Sequence, residues 1–237
     1  MITVIIAHKD YNHYLQQAID SCISQTIKVK YIVIDDGSKV PPRPPNWPVT
    51  RDDQYKVYEK DGNKFVYIKE SLGPSMARNI GIIESWEYTD YFQILDADDK
   101  MLNNKCDMLL KAFDENTGVV YADYYIESNR IKKMEFKIPY SKEELEQHCI
   151  VHSGSMISKK VLSMVVEGQY FYDPQLRCAE DYDLFLRCSE KMMIKHVPEL
   201  LTIVREHSLN STYSVPTDVW QACLQRVHQK RIMRANA

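Results

Sequence analysis

Two groups of carboxylates stand where strand-like runs end. Ile32-Val33-Ile34 leads into Asp35-Asp36-Gly37-Ser38, and Phe92-Gln93-Ile94-Leu95 leads into Asp96-Ala97-Asp98-Asp99. Carboxylates crowded at the tip of a buried strand repel one another, and a divalent ion or a hydrogen-bonding ligand offsets that repulsion. The carboxyl ends of strands are also where α/β sheets bind ligands. Two such tips point to one site for an anionic, nucleotide-like ligand held through a metal.

Each group has a plainer reading beside the chemical one. Asp96 and Asp98 have the D-x-D spacing, and alternate residues leaving a strand project to the same side, so both can face one ion. Oxygen ligands suit Mg2+ or Mn2+. The same aspartates would also serve a loop that caps the next helix. Asp35-Asp36-Gly37-Ser38 consists of turn formers. It could equally offer a carboxylate to a nucleobase N–H while Gly37 lets the backbone come close, and its place beside the first strand favours this. Arg78, in Gly73-Pro74-Ser75-Met76-Ala77-Arg78-Asn79-Ile80-Gly81, opposes the dipole at a helix start unless an anion or carboxylate is near. It is therefore a diphosphate or nucleobase contact, or a solvated surface arginine. Glu180-Asp181 precedes an amphipathic run and fits either a helix cap or a catalytic base. His207, in Arg205-Glu206-His207, is structural or completes a mixed oxygen and nitrogen metal site.

The elements that must position these residues alternate over the first hundred positions. Ile2 to Ala7 reads as a buried parallel strand. Leu15, Ile19, Cys22 and Ile23 follow at helical spacing. Tyr31 to Ile34 is a second strand. Ser75 is the expected cap of a helix carrying Ala77, Ile80 and Ile83, and Tyr91 to Leu95 is the next strand. This order predicts a parallel sheet with right-handed crossovers. One stretch breaks it: the prolines from Pro41 to Pro48 exclude a helix, and Lys60-Asp61-Gly62-Asn63 between Tyr55–Glu59 and Phe65–Ile68 predicts a hairpin. Further on, Cys106, Leu109, Leu110 and Phe113 mark a helix, Val119 to Ile126 a strand, and Ser141 with Glu144 a capping box. A helix begins near Glu180, and Leu200 to Val204 is the last strand. The tail from Thr217 is a helix with Val219, Trp220, Cys223, Leu224 and Val227 on one face.

The chain of 237 residues, 44% apolar and 27% charged, is long enough for one sizeable α/β domain. A net charge of −3 gives no general attraction for polyanions. The six cysteines form no C-x-x-C pair, which favours reduced core thiols. The chain enters a strand at once with no basic and apolar leader, and no apolar run approaches the roughly 20 residues of a membrane helix. The expectation is a cytoplasmic, soluble protein without an integral membrane segment, at most peripheral at the inner membrane surface.

In this order and spacing the segments resemble family 2 glycosyltransferases of the GT-A fold. The resemblance runs from Ile2 to about Thr212 and rests on Ile2–Asn12, Asp35-Asp36-Gly37-Ser38, Gly73 with Ala77-Arg78-Asn79-Ile80-Gly81, Asp96-Ala97-Asp98-Asp99, Glu180-Asp181-Tyr182-Asp183-Leu184 and Arg205-Glu206-His207. Two features depart from it: the hairpin stands where a helix usually follows Asp-Asp-Gly-Ser, and Ala7 and His8 stand where Pro and a small or polar residue are common. The resemblance implies a single α/β domain, Rossmann-like, with a mostly parallel central sheet flanked by helices. Residues 1–100 would form the nucleotide-sugar half, 101–215 the acceptor half, and 216–237 a C-terminal helix. It also implies an inverting, nucleotide-sugar-dependent transferase. Ala7, His8, Asp35, Asp36, Arg78, Asp96 and Ala97 would then contact the donor, a UDP-sugar by preference because a carboxylate suits the uracil N3–H. Asp98, Asp96 and His207 would hold Mn2+ or Mg2+. Asp181 would be the general base, with Glu180 shaping the acceptor site.

The acceptor is a saccharide or other hydroxyl compound, a glycan or lipid-linked saccharide being favoured. Nucleic acid enters only as an alternative acceptor, through hydroxymethylated bases. The C-terminal stripe is expected to pack on the catalytic domain or to form a homodimer, leaving Arg226, Lys230, Arg231 and Arg234 to meet an anionic acceptor. Other classes fit less well. A haloacid-dehalogenase-type phosphatase needs an early D-x-D-x-[TV], and a nucleotidyltransferase needs a glycine-rich basic loop after the first strand. A non-catalytic nucleotide-sugar-binding module is the remaining alternative.

Overall fold

A computed structural model describes residues 1–43, 46–128, 131–208 and 210–236. Pro44 and Pro45 of the expected proline-rich loop, and Ala237 at the end of the expected tail helix, lie outside the described residues.

The first half builds β1 (Ile2–His8), α1 (Asn12–Ile23), β2 (Lys30–Asp36), β3 (Val49–Asp52), β4 (Lys56–Lys60), β5 (Asn63–Ile68), α2 (Pro74–Ser85) and β6 (Tyr91–Asp96). The second half adds β7 (Lys100–Met101), α3 (Lys105–Lys111), β8 (Thr117–Ser128), β9 (Ile131–Glu135), α4 (Lys142–Gln147), β10 (Met156–Ser158) and α5 (Lys159–Val165). The chain then continues through α6 (Glu180–Ser189), β11 (Met193–Arg205), α7 (Ser211–Ser214) and α8 (Thr217–Ala235). One sheet runs in the order β3-β4-β5-β2-β1-β6-β10-β8-β11-β7, with β9 paired to β8.

The expected parallel order holds for β5-β2-β1-β6 and for β8 beside β11, but the sheet is mixed rather than mostly parallel. Strand β10, between β6 and β8, is antiparallel to both, as are β3-β4-β5 at one edge, β7 against β11 and β9 against β8. Val4, Ile5 and Ile6 are fully buried because apolar clusters cover both faces, which is why β1 reads as an unbroken apolar run. Ile5 packs with α2 and α6 on one side, and Val4 and Ile6 pack with α1 and α3 on the other.

The predicted hairpin is β4–β5, closed by Asp61 (φ 52°) and Gly62 (φ 77°), the left-handed pair that a two-residue turn demands. It carries the chain back to a strand parallel to β2, so a hairpin replaces the crossover helix. Three details differ from the sequence reading. The chain forms a strand, β3, directly after the proline-rich loop. β11 starts seven residues before Leu200, because its irregular register around Pro198 hides the strand pattern. Ser75 does not cap α2: Gly73 holds the cap position with φ 89°, Pro74 opens the helix, and the Ser75 hydroxyl donates to the Leu176 carbonyl at 3.0 Å.

The C-terminal helix takes the first of its two expected placements, on the catalytic domain, but its basic residues differ from expectation. Cys223 and Val227 are buried against the body and Val219 and Trp220 pack beside them, but Leu224 is exposed. The stripe proposed for a dimer is thus covered by the chain itself. The basic residues are not free either. Arg226 and Lys230 meet Asp173 at 3.0 Å, Lys230 also meets Asp183 at 3.1 Å, Arg231 pairs with Glu146, and Arg234 pairs with Glu190 at 3.0 Å. The basic edge is thus ion-paired with the protein's own carboxylates, although the Arg226 side chain stays 39% exposed.

Candidate active site

Parallel pairing creates the site. The tip of β1 lies between β2 and β6, with Ala7 level with Ile34 and Asp96, and His8 level with Asp35. The two acidic tips therefore emerge side by side.

On the β2 side the carboxylates already have partners. Asp35 is buried and its Oδ1 lies 2.9 Å from His8 Nδ1 and 2.5 Å from the Ser38 hydroxyl. The remaining His8 nitrogen, Nε2, is buried with no partner among the described residues. Asp36 accepts from the Ser71 hydroxyl (2.7 Å), Leu72 N (2.7 Å) and Gly73 N (3.0 Å). It holds the 71–73 loop at the start of α2. Gly37 lies against that loop: a Cβ there would stand 2.7 Å from Ser71 N, at a φ of 65°. Ala7 is partly buried between the tips. The Ala97 methyl packs in the core, which leaves any ligand contact at that position to the main chain.

On the β6 side the centre is a buried arginine, not a surface one. Arg78 donates through one nitrogen to Glu180 and through the other to Asp96 at 2.9 Å. It thereby ties α2 to the β6 tip and to α6. Burial works against its charge, but Glu180 and then Asp96 hold it protonated well beyond the ordinary arginine value. Burial also pushes Asp96 up, yet Arg78 outweighs it and keeps this carboxyl below its usual range.

Asp98 is different. Burial and then the charge of Asp96 raise it. Its Oδ2 lies 3.0 Å from His207 Nε2 and 3.2 Å from Asn210 Nδ2. Asp99 is raised further by burial, Asp98 and Asp96, and its Oδ1 accepts Arg205 N at 2.9 Å. Raised carboxylates beside an imidazole mark a place where positive charge is wanted, and this donor set fits an ion such as Mn2+ or Mg2+. The fit is partial. Asp96 is turned to Arg78, so no three such side chains form a ready ligand set among the described residues. An ion there would complete its shell with ligand and water oxygens.

Asp181 opens α6 beside Glu180, after Ala179 at φ 59°, a left-handed alanine. Such strain persists only where the surroundings impose it. Burial and then Glu180 lift the Asp181 carboxyl to about 6, with Arg78 opposing. This is the setting of a group that is ionised at neutral pH yet basic enough to take a proton.

Sequence reasoning missed the aromatic side of the cleft. The Tyr11 ring lies 5.4 Å from His207, and Tyr14 stacks on His207 at 5.6 Å and under the Arg205 guanidinium at 4.7 Å. Burial, then Asp98 and Asp96, push the Tyr11 hydroxyl up to about 12. Their spacing of three at the start of α1, directly after a site strand, was the available signal. Lys105 was missed as well. It is buried beneath the acidic turn, with Nζ 2.8 Å from the Gly154 carbonyl and 2.7 Å from the Thr202 hydroxyl, and burial lowers it to about 8.

Comparison with known proteins adds four findings. The sequence profile of Glycosyl transferase family 2 matches residues 3–165. An uncharacterized glycosyltransferase of Rickettsia prowazekii is 25% identical over 253 residues, covering 98% of this chain and 74% of the relative. Among solved structures, Staphylococcus aureus TarS 1-349 in complex with UDP-GlcNAc superposes with a TM-score of 0.69 at 13% identity, over 95% of this chain and 65% of that one. The mannosyltransferase PcManGT of Pyrobaculum calidifontis, in complex with GDP-Man and Mn2+, gives 0.60 at 12% identity, over 99% and 63%. This chain thus spans slightly less than two thirds of both solved proteins, and the likeness to them is one of fold.

Proposed function

The chain belongs to glycosyl transferase family 2, and from that premise we propose that it moves a sugar from a nucleoside-diphosphate sugar, a UDP-sugar by preference, to an acceptor hydroxyl with inversion at the anomeric carbon. The observation that carries this reading is the Arg78 bridge. One buried guanidinium joins the β6 tip, where Asp96 and Asp98 stand, to Glu180 at the start of α6, next to Asp181. Donor-side charges and a base with a carboxyl lifted to about 6 are thereby fixed in one frame.

In this reading Asp181 takes the proton of the acceptor hydroxyl. The acceptor oxygen bonds to the anomeric carbon, and the carbon–oxygen bond to the diphosphate breaks with its electron pair leaving on the diphosphate. Glu180, locked by Arg78, shapes the acceptor side. Asp35, His8 and Ser38 form the nucleobase corner, and Asp36 supports it by holding the 71–73 loop. Asp98 and His207, with Asp96 nearby, would hold Mn2+ or Mg2+, which when bound supplies electrostatic stabilisation of the leaving diphosphate. Residues 1–100 form the donor half, 101–215 the acceptor half, and Thr217–Ala235 is a helix that braces α6. Neighbours solved with UDP-GlcNAc and with GDP-Man and Mn2+ support a nucleotide-sugar donor and a divalent ion. The acceptor is a saccharide, free or lipid-linked.

A screen for nucleotide release from UDP- and GDP-sugars, with Mn2+ and with chelator, tests the reading. Release from at least one UDP-sugar, lost on chelation, is expected. No release from any donor, with the protein folded, would overturn it.

A further inference from the structure

The β8–β9 ribbon carries a surface that the reaction does not use. Ile131, Met134, Phe136 and Ile138 are 63%, 60%, 64% and 47% exposed, although large apolar side chains ordinarily seek cover. The patch is continuous with the body: the Tyr121 hydroxyl holds the Ile138 carbonyl at 2.6 Å, and Lys137 N donates to Asp123 at 2.8 Å. Phe136 and exposed Met193 line one open cavity of about 650 Å3. The register with β8 sends Ile131 and Lys133 to one face of β9 and Lys132 and Met134 to the other, so apolar and basic side chains flank the outer edge of the ribbon on both faces, and exposure of this kind marks an interaction site.

The charge of the strip selects the partner. Residues 131–138 contain Lys132, Lys133 and Lys137 against Glu135 alone, on a chain whose net charge is −3. Lys133 is exposed, and Lys132 is held only loosely by Glu127 at 3.8 Å. Lysines interleaved with exposed aliphatic and aromatic side chains suit an anionic lipid surface, where apolar groups enter the headgroup boundary and the cations meet phosphate. Among the described residues β9 pairs on one side only, and lysines on an edge strand also discourage pairing with a second copy.

Position gives the strip a purpose. Glu127, near the end of β8, meets Arg205 Nε at 3.4 Å, and its carbonyl accepts Glu206 N at 3.0 Å. Arg205 in turn holds the Asp98 carbonyl. The ribbon is thus tied directly to the corner that carries Asp98 and His207.

We propose that the β9 strip, residues 131–138, docks the protein on an anionic lipid bilayer and so brings the catalytic cleft to a membrane-held acceptor. The second half of this statement rests on the proposed function; the docking itself does not. No helix among the described residues is long and apolar enough to cross a membrane, so attachment through this strip would be peripheral.

Sedimentation of the full chain with vesicles tests it, using phosphatidylcholine alone and phosphatidylcholine mixed with phosphatidylglycerol. Binding to the mixed vesicles, weak binding to neutral ones and release at high salt are expected. Lys133→Gln should weaken binding about five-fold, and Phe136→Ser about ten-fold, with unchanged thermal melting and unchanged nucleotide release. Equal binding to both vesicle types, or none, would overturn the proposal. So would loss of a concentration-dependent dimer in the same variants, which would make the strip a contact between copies. Nucleotide release measured in parallel separates the two ideas: vesicle binding absent with release intact fails the docking alone, and release absent with vesicle binding intact fails the catalytic reading alone.

Discussion

Arg78→Met keeps most of the side-chain volume and removes the charge, which makes it a sharp probe of the central bridge. The arginine and Glu180 side chains are 7% and 9% exposed, while Asp96 is 33% exposed. Removing one partner of a buried pair strands the other charge and costs about 3–5 kcal/mol. The partial exposure of Asp96 moves the expectation to the lower end, about 3 kcal/mol at pH 7. The sign of the pH dependence follows from the same contacts. In the native protein Arg78 holds Asp96 below its ordinary value, so this pairing contributes stability above the unfolded-state pKa and loses it as pH falls. In the variant the carboxylates are instead disfavoured when ionised, so the deficit should shrink as pH falls toward 4. Arg78 also pulls Asp181 down; without it, the acidic limb of the activity profile should move above about 6 in whatever activity remains. Urea unfolding at pH 7 and near pH 4 gives both quantities. A deficit under about 1 kcal/mol at pH 7, or an equal deficit at both pH values, would refute the buried-bridge argument.

Other outcomes follow from the same structure. Asp98→Asn should fold normally and lose most transfer, as chelation should in the native protein; full activity of the variant in chelator would remove Asp98 from ion binding. Asp36→Ala leaves three donors without their acceptor, so it should cost about 3 kcal/mol of stability as well as nucleotide affinity; calorimetric binding beside thermal melting checks this, and weakened binding with unchanged melting would contradict it. Lys230→Met strips a partner from Asp173 and Asp183, so it should destabilise by about 2 kcal/mol and leave acceptor preference unchanged; a specific loss of transfer with unaltered melting would restore an acceptor role for α8.

Much of this was legible in the sequence because strong local patterns met little competition. The apolar run of β1 points to a parallel sheet, since β1 must be buried on both faces, and the two acidic tips emerge at the same end of it. Asp61-Gly62 specifies the β4–β5 turn because left-handed φ at both positions excludes most other residues. What was not legible depends on long-range partners. Arg78 reads as a donor contact or a surface cation, and its bridge to Glu180, 102 positions away, appears only in the fold. The hold of Asp36 on the 71–73 loop is equally hidden, because its three donors lie 35 to 37 positions away. The basic residues of α8 seem available for an acceptor because Asp173, Asp183 and Glu190 are remote in sequence. Pro198 interrupts the alternation that would have disclosed the first half of β11, and Tyr11 and Tyr14 carry no meaning until His207 arrives between them and the acidic turn.

The claim at the centre is that Asp181 removes the acceptor proton at a site where donor binding does not depend on it. Asp181→Asn is nearly isosteric and keeps an oxygen to accept Tyr182 N, which Asp181 now holds at 2.8 Å. Nucleotide affinity by calorimetry and single-turnover transfer should be measured on the same preparation, across pH 5 to 8. Unchanged nucleotide affinity is expected, with transfer reduced by a factor of roughly 10²–10⁴ and without the acidic limb near pH 6 that protonation of Asp181 should give the native protein. Native-like transfer in the variant, with the acidic limb intact, would contradict it and assign the base to another group.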